Sequence, residues 1–135
     1  WMESEGKAGY LMYNNQIWKL LYYLHRNFDE EITPESAAEA MGVSVSHLHK
    51  SIKYNLMQSF SQLLREIRVG YACGLLTNPA LSVEQVAIEV GYNNSKTFTR
   101  AFQKQMGVTP SEYRAKAAAS HDKEGGNPLG NKESD

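Results

Sequence analysis

The sequence predicts an all-α fold of about seven helices, two small subdomains joined by one long helix. Three observations lead there. Apolar residues recur at steps of three and four along most of the chain between Gln16 and Arg114, which is the helical period. Hydroxyl residues, asparagines and glycines punctuate those segments where helices start and stop. The segment before the longest helical stretch recurs after it.

That longest stretch runs from Ser59 to Thr77. Phe60, Leu63, Leu64, Ile67, Tyr71, Gly74 and Leu75 fall along one stripe of a helix. Val69, Ala72, Cys73 and Leu76 add apolar surface on other faces of its second half, so the helix is expected to serve two neighbours. Gly70 and Gly74 each disfavour a helix interior by roughly 1 kcal/mol relative to Ala. Close approach of another backbone is the expected compensation, with a weak or kinked helix as the alternative.

In chain order, residues 1–13 lack a sustained period and read as a linker remnant. Ile17, Leu20, Leu21, Leu24 and Phe28 keep helical spacing, giving a first helix that ends near Asn27 with Tyr22, Tyr23 and His25 on its surface or rim. Thr33-Pro34 is an N-cap followed by proline at the first helical position, and opens a short helix to about Met41. Gly42 stops it, and Ser44 caps a third helix with Leu48 and Ile52 inside. After the central helix, Asn78-Pro79 closes the element. Ser82-Val83-Glu84-Gln85 fits a capping box and starts a short helix through Val86, Ala87 and Val90 to Gly91. Asn94 caps the next helix, with Phe98 and Phe102 inside. Thr109-Pro110-Ser111-Glu112 repeats the cap signature for a last helix holding Tyr113. From about Ala117 the composition turns to Gly, Asn, Lys, Asp and Ser, and a disordered tail is expected.

The totals set bounds. With 135 residues the chain is long enough for one domain or two small helical ones. It has no long apolar run and no signal-like start, so membrane spans and secretion are not expected. Its first residue is Trp1, as expected for a piece of a longer protein. The single cysteine, Cys73, excludes an intramolecular disulfide or a cysteine-based zinc site. His25, His47, His49 and His121 form no metal-ligand pattern, and no paired carboxylates, glycine-rich phosphate loop or serine nucleophile motif is present, so no enzyme and no cofactor are expected. The net charge is -1, but residues 47–104 carry seven Lys or Arg against three Glu. A local basic zone matters more than the total for holding a polyanion.

The internal repeat gives these facts a direction. Ala38, Met41 and Gly42 match Ala87, Val90 and Gly91 at an offset of 49, while Leu48 and Ile52 match Phe98 and Phe102 at an offset of 50. Each copy has a small residue in one helix, a glycine at the turn and two large apolar residues four apart in the next helix. These are the steric requirements of a helix-turn-helix. A linking helix of about 18 residues is about 27 Å long, close enough to the roughly 34 Å between successive major-groove faces for two recognition helices to read one side of a duplex. Ser46, His49, Lys50 and Lys53 face outward in the first copy, and Ser95, Lys96, Thr99, Arg100 and Gln103 in the second. These residue types contact phosphates and base edges.

Residues from about Ile17 to Arg114 resemble the tandem helix-turn-helix DNA-binding domain of AraC/XylS-type transcription regulators. The second half carries the motifs: Leu81-Ser82-Val83-Glu84-Gln85-Val86-Ala87, Val90-Gly91-Tyr92, Phe98-Thr99-Arg100-Ala101-Phe102 and Gly107-Val108-Thr109-Pro110-Ser111-Glu112-Tyr113-Arg114. Arg68 and Ala72 match an arginine and an alanine of the family's linker helix. The first half is looser: Ile52 stands at a usual phenylalanine and Met57 at a usual glycine.

The resemblance implies two homeodomain-like helix-turn-helix subdomains, over 14–58 and 78–116, joined by a linker helix over 59–77 and followed by a disordered tail over 117–135, with both recognition helices entering successive major grooves or, in some members, only one binding tightly. It implies sequence-specific binding of double-stranded DNA by the C-terminal part of a bacterial, cytoplasmic regulator, usually an activator. By motif position, Ser46, His49 and Lys50 would face bases in the first module and Ser95, Lys96 and Arg100 in the second, with Lys53, Asn94 and Thr99 nearer phosphates. RNA polymerase would be a partner of the intact regulator, and an effector would act only through a domain upstream of Trp1. The alternative is a helical interaction module that docks on RNA polymerase or another regulator without reading DNA.

Overall fold

The computed structural model describes residues 17–125, with side chains through Ser120, and the expected linker remnant over 1–13 lies outside them. Seven helices and no strand occur among the described residues. They are α1 (described over 17–27), α2 (Pro34–Met41), α3 (Val45–Leu56), α4 (Phe60–Leu76), α5 (Val83–Glu89), α6 (Ser95–Met106) and α7 (Pro110–Gly125). The chain divides into two compact units inside α4, between Arg68 and Val69.

From α2 onward each helix start is set by a side chain that satisfies backbone N–H groups left without an intrahelical partner. Thr33 Oγ1 accepts from Ser36 N–H and Ser36 Oγ accepts from Thr33 N–H. Ser82 and Gln85 form the same reciprocal box at distances of 2.7 and 3.0 Å. Ser44 caps α3 through His47 N–H, and Asn94 caps α6 through Thr97 N–H. Thr109 and Glu112 form a further box, and so do Ser59 and Gln62 at the start of α4. The Ser59 box is a local S-x-x-Q signature in the sequence.

In the first unit α1 buries Ile17, Leu20 and Leu24 against Ala37 and Ala38 of α2, Leu48 and Ile52 of α3, and Phe60, Leu63, Leu64 and Ile67 of α4. In the second unit Val69, Ala72 and Leu76 of α4 are buried, as are Val86, Ala87, Val90, Phe98 and Phe102. Phe98 and Phe102 are wholly enclosed, each burial stabilising the unit by about 2 to 3 kcal/mol. Tyr92, Phe98, Phe102 and Tyr113 stack in series with centroid spacings of 5.6, 5.7 and 5.6 Å.

Three expectations are corrected. The stripe on α4 does not continue through Tyr71 and Gly74: Tyr71 is 43% exposed, and Val69, Ala72 and Leu76 are buried instead. The face that α4 buries changes where the second unit begins, so one stripe cannot serve its full length. A Cβ on Gly70 or Gly74 would meet no atom within 4 Å, so no backbone packs closely there, and α4 nonetheless runs unbroken. Finally, α7 continues to Gly125, past the expected onset of disorder at Ala117. The Ala115-Lys116-Ala117-Ala118-Ala119 run has high helix propensity and extends the helix without any need for a buried face.

Candidate nucleic-acid interface

The two turns between paired helices are built alike. At the end of α2, Gly42 N–H donates to Glu39 and Val43 N–H to Ala38, at 3.1 and 3.0 Å. At the end of α5, Gly91 N–H donates to Ile88 and Tyr92 N–H to Ala87, at 3.0 and 2.9 Å. Both glycines have positive φ, 73° and 103°, where a Cβ would strain the turn. Each turn therefore releases the chain in the same way, and the second holds one residue more before its cap.

The second helices of the two pairs, α3 and α6, then keep one register, offset by 50 residues. Caps Ser44 and Asn94 correspond, as do the buried pairs Leu48 with Phe98 and Ile52 with Phe102. Both helices end on a residue of positive φ, Met57 at 56° and Gly107 at 80°, whose N–H donates to the carbonyl of Lys53 or Gln103. The internal repeat thus reaches beyond the helix-turn-helix pairs into the starts of α4 and α7.

With the buried pairs fixed, the outward positions follow. Ser46, His49, Lys50 and Lys53 are exposed on α3, at steps of three, one and three. On α6 the same steps select Lys96, Thr99, Arg100 and Gln103, of which Thr99 is half-buried and the others exposed. Ser95 corresponds to Val45, and both are half-buried at the first position of their helices. Asn94 is exposed, with its Oδ1 committed to the cap at 2.8 Å.

Electrostatics separate these helices from their neighbours. Neither α3 nor α6 contains an acidic residue, whereas α2 carries Glu35 and Glu39 and α5 carries Glu84 and Glu89. The arginines also differ in role. Arg68 donates from Nε to the Phe28 carbonyl at 2.8 Å and from Nη2 to that of Glu30 at 2.9 Å. Arg114 donates to the carbonyls of Leu76, Asn78 and Leu81. Both guanidiniums are thereby engaged in holding loops. Arg100 is exposed and makes no hydrogen bond or ion pair with another described residue.

No group of three His, Cys, Asp or Glu suited to a metal ion occurs among the described residues. Nor is any described helix long and apolar enough to cross a membrane. Cys73 and Tyr113 are hydrogen-bonded through their side chains, and burial raises the thiol pKa above its ordinary value, which leaves it a poor nucleophile. A groove of about 550 Å³ runs along α1, lined by Trp18, Tyr22, Tyr23, Arg26 and Met41.

Comparison with known proteins agrees with this geometry. A family model described as a helix-turn-helix domain matches residues 37–116. The chain is 31% identical over 101 residues to the lactose operon transcription activator of Staphylococcus xylosus, covering 75% of this chain and 36% of that protein. Among solved structures it is similar to the C-terminal domain of AraT, a response regulator from Geobacillus stearothermophilus. There the identity is 36%, the coverage 75% of this chain and 84% of that one, and the TM-score 0.72. The DNA-binding domain of AdpA, solved in complex with a target DNA, shares the fold with a TM-score of 0.71 at 24% identity, over 76% of this chain and 92% of that one.

Proposed function

We propose, the chain being a member of the AraC-type helix-turn-helix family of DNA-binding transcription regulators, that α3 and α6 each enter a major groove of one duplex and select its sequence. The observation that carries this is the shared register: two acid-free helices, capped and terminated alike, present equivalent polar positions opposite equivalent buried pairs. A helix seated in the major groove reads bases from one such stripe while its flanks meet phosphates.

Within this reading Arg100 is the principal base-reading residue. Its planar fork matches the O6 and N7 acceptors of guanine, worth about 1 to 3 kcal/mol of discrimination. Lys96 and Ser95 in the second module, and Ser46, His49 and Lys50 in the first, face neighbouring bases. Lys53, Asn94 and Thr99 sit nearer the phosphates. Short Ser46 reaches little, so the first module selects sequence less strongly than the second. The chain spans little more than a third of its lactose-operon relative, and activation of a bacterial operon in the cytoplasm would be the task of the whole regulator. An effector would act through a part of that regulator outside this chain.

A second reading adds to the first. Trp18 and Tyr22 on α1 are 70% and 65% exposed beside Arg26, an aromatic surface suited to a protein contact. In the intact regulator that contact would be with RNA polymerase. Mobility shift of a random duplex library tests the first reading: selection of a defined sequence supports it, and retention of random duplex without enrichment contradicts it.

A further inference from the structure

We infer that Gln103 is a base-reading residue, selecting an adenine beside the guanine engaged by Arg100. The inference rests on the DNA-binding reading above and extends the recognition surface one turn along α6.

The register supplies the position. Lys96, Thr99, Arg100 and Gln103 occupy steps i, i+3, i+4 and i+7 from the second residue of α6, so they span an arc of about 100° on a helix that turns 100° per residue. These are the steps at which a homeodomain recognition helix presents its base contacts, where all four residues of such a stripe read the major groove. Phe98 and Phe102 are wholly buried, which fixes the rotation of α6 and leaves this stripe outward. Gln103 is exposed, and its amide makes no hydrogen bond with another described residue.

The chemistry supplies the specificity. From Arg100 to Gln103 the helix rises about 4.5 Å, close to the 3.4 Å between successive bases of one strand. The two side chains therefore meet adjacent base pairs. A glutamine amide offers one donor and one acceptor side by side, the pattern that pairs with N7 and N6–H of adenine. The equivalent position on α3 holds Lys53, which has donors only. The two modules thus present different chemistry at a matched place, and the final position of the stripe distinguishes their half-sites. Under this assignment Thr99 and Lys53 also lie on the groove-facing stripe as well as within reach of phosphate.

The experiment is site selection from random duplexes by the parent chain and by Gln103→Ala, Gln103→Lys and Arg100→Ala, with helicity checked by circular dichroism. The parent is expected to enrich a guanine that Arg100→Ala loses, with an adenine next to it. Gln103→Ala should reduce the preference for that adenine roughly tenfold while leaving other positions, and affinity for duplexes without that adenine, within about threefold. Gln103→Lys should shift that position toward guanine, as a donor-only side chain requires. An unchanged adenine preference in Gln103→Ala overturns the inference, as does a uniform loss of affinity on all sequences, the mark of a phosphate contact. If the parent enriches no sequence, the DNA reading fails first, and the two failures are told apart.

Discussion

The Nε–H of Arg114 donates to the carbonyl oxygen of Leu76, the last residue of α4, over 2.9 Å. The same guanidinium reaches the carbonyls of Asn78 and Leu81, so one side chain holds the loop that leads into α5. Arg68 does the corresponding work in the first unit, bridging the carbonyls of Phe28 and Glu30 in the loop that leads into α2. Helix C-termini leave carbonyls without intrahelical partners, and in both units a later helix supplies the missing donors.

Removing either clasp should therefore destabilise its own unit. Arg114→Ala and Arg68→Ala are each expected to cost about 2 kcal/mol, since hydrogen bonds from a charged donor contribute about 1.5 to 3 kcal/mol each and both sites are partly solvated. Lysine at either position has a single compact head and should recover less than half. Urea unfolding midpoints check this, and losses below about 0.5 kcal/mol would show the clasps to be incidental.

Met57 is the one described non-glycine residue with positive φ, and its side chain is 73% exposed. A left-handed conformation costs an ordinary residue about 1 to 2 kcal/mol, partly offset by the greater unfolded freedom of glycine. Met57→Gly should stabilise the first unit by about 0.5 to 1 kcal/mol, and Gly107→Ala should destabilise the second by about 1 kcal/mol. Opposite shifts in thermal midpoint are the expected pair of results. A loss of stability in Met57→Gly would mean that the methionine side chain makes contacts that matter.

Gly70 and Gly74 invite the reverse substitution. Both lie inside α4, and the space that a Cβ would occupy is open. Alanine at each should raise stability by up to about 1 kcal/mol through helix propensity and reduced unfolded entropy. Destabilisation of either variant in thermal melts would reveal a close neighbour at that glycine.

The Cys73–Tyr113 pair predicts an alkaline limb. Burial raises the thiol pKa, partly offset by the Tyr113 hydroxyl, and the bond to Cys73 followed by burial raises that of the tyrosine. Both acids hold their protons more tightly when folded, so their contribution is complete below the ordinary thiol pKa of 9.0 and is lost as pH rises through the folded values. Unfolding free energy measured from pH 7.5 to 10.5 should be level at first and then fall. Cys73→Ala should flatten part of that fall, and an unaltered profile would contradict the coupling.

Much of this was legible because caps are local. Thr33, Ser44, Ser82, Asn94 and Thr109 each act within three residues of their own position, so the sequence displays both partners. The apolar pairs Leu48 with Ile52 and Phe98 with Phe102 fixed the rotation of the recognition helices for the same reason. The arginine clasps reach across 33 to 40 residues and leave no local trace. The two-faced burial of α4 was half visible, in the extra apolar residues Val69, Ala72 and Leu76. The side that each half buries depends on the unit around it, so the stripe was drawn too far, through Tyr71. At Gly70 and Gly74 propensity gave the cost correctly and the compensation wrongly, because the cost is a property of the residue and the compensation a property of its surroundings.

The central claim is that the outward edge of these helices reads bases. The direct measurement is the affinity of the parent chain and of Arg100→Ala for a selected duplex and for a scrambled duplex of equal length, titrated across salt concentrations. If about six phosphates are neutralised, log affinity should fall with log salt at a slope of about -5 for the parent on either duplex. Arg100→Ala should lose roughly 10- to 100-fold on the selected duplex and less than about threefold on the scrambled one, with the slope little changed. An equal loss on both duplexes, accompanied by a shallower slope, would reduce Arg100 to a phosphate contact and contradict the claim.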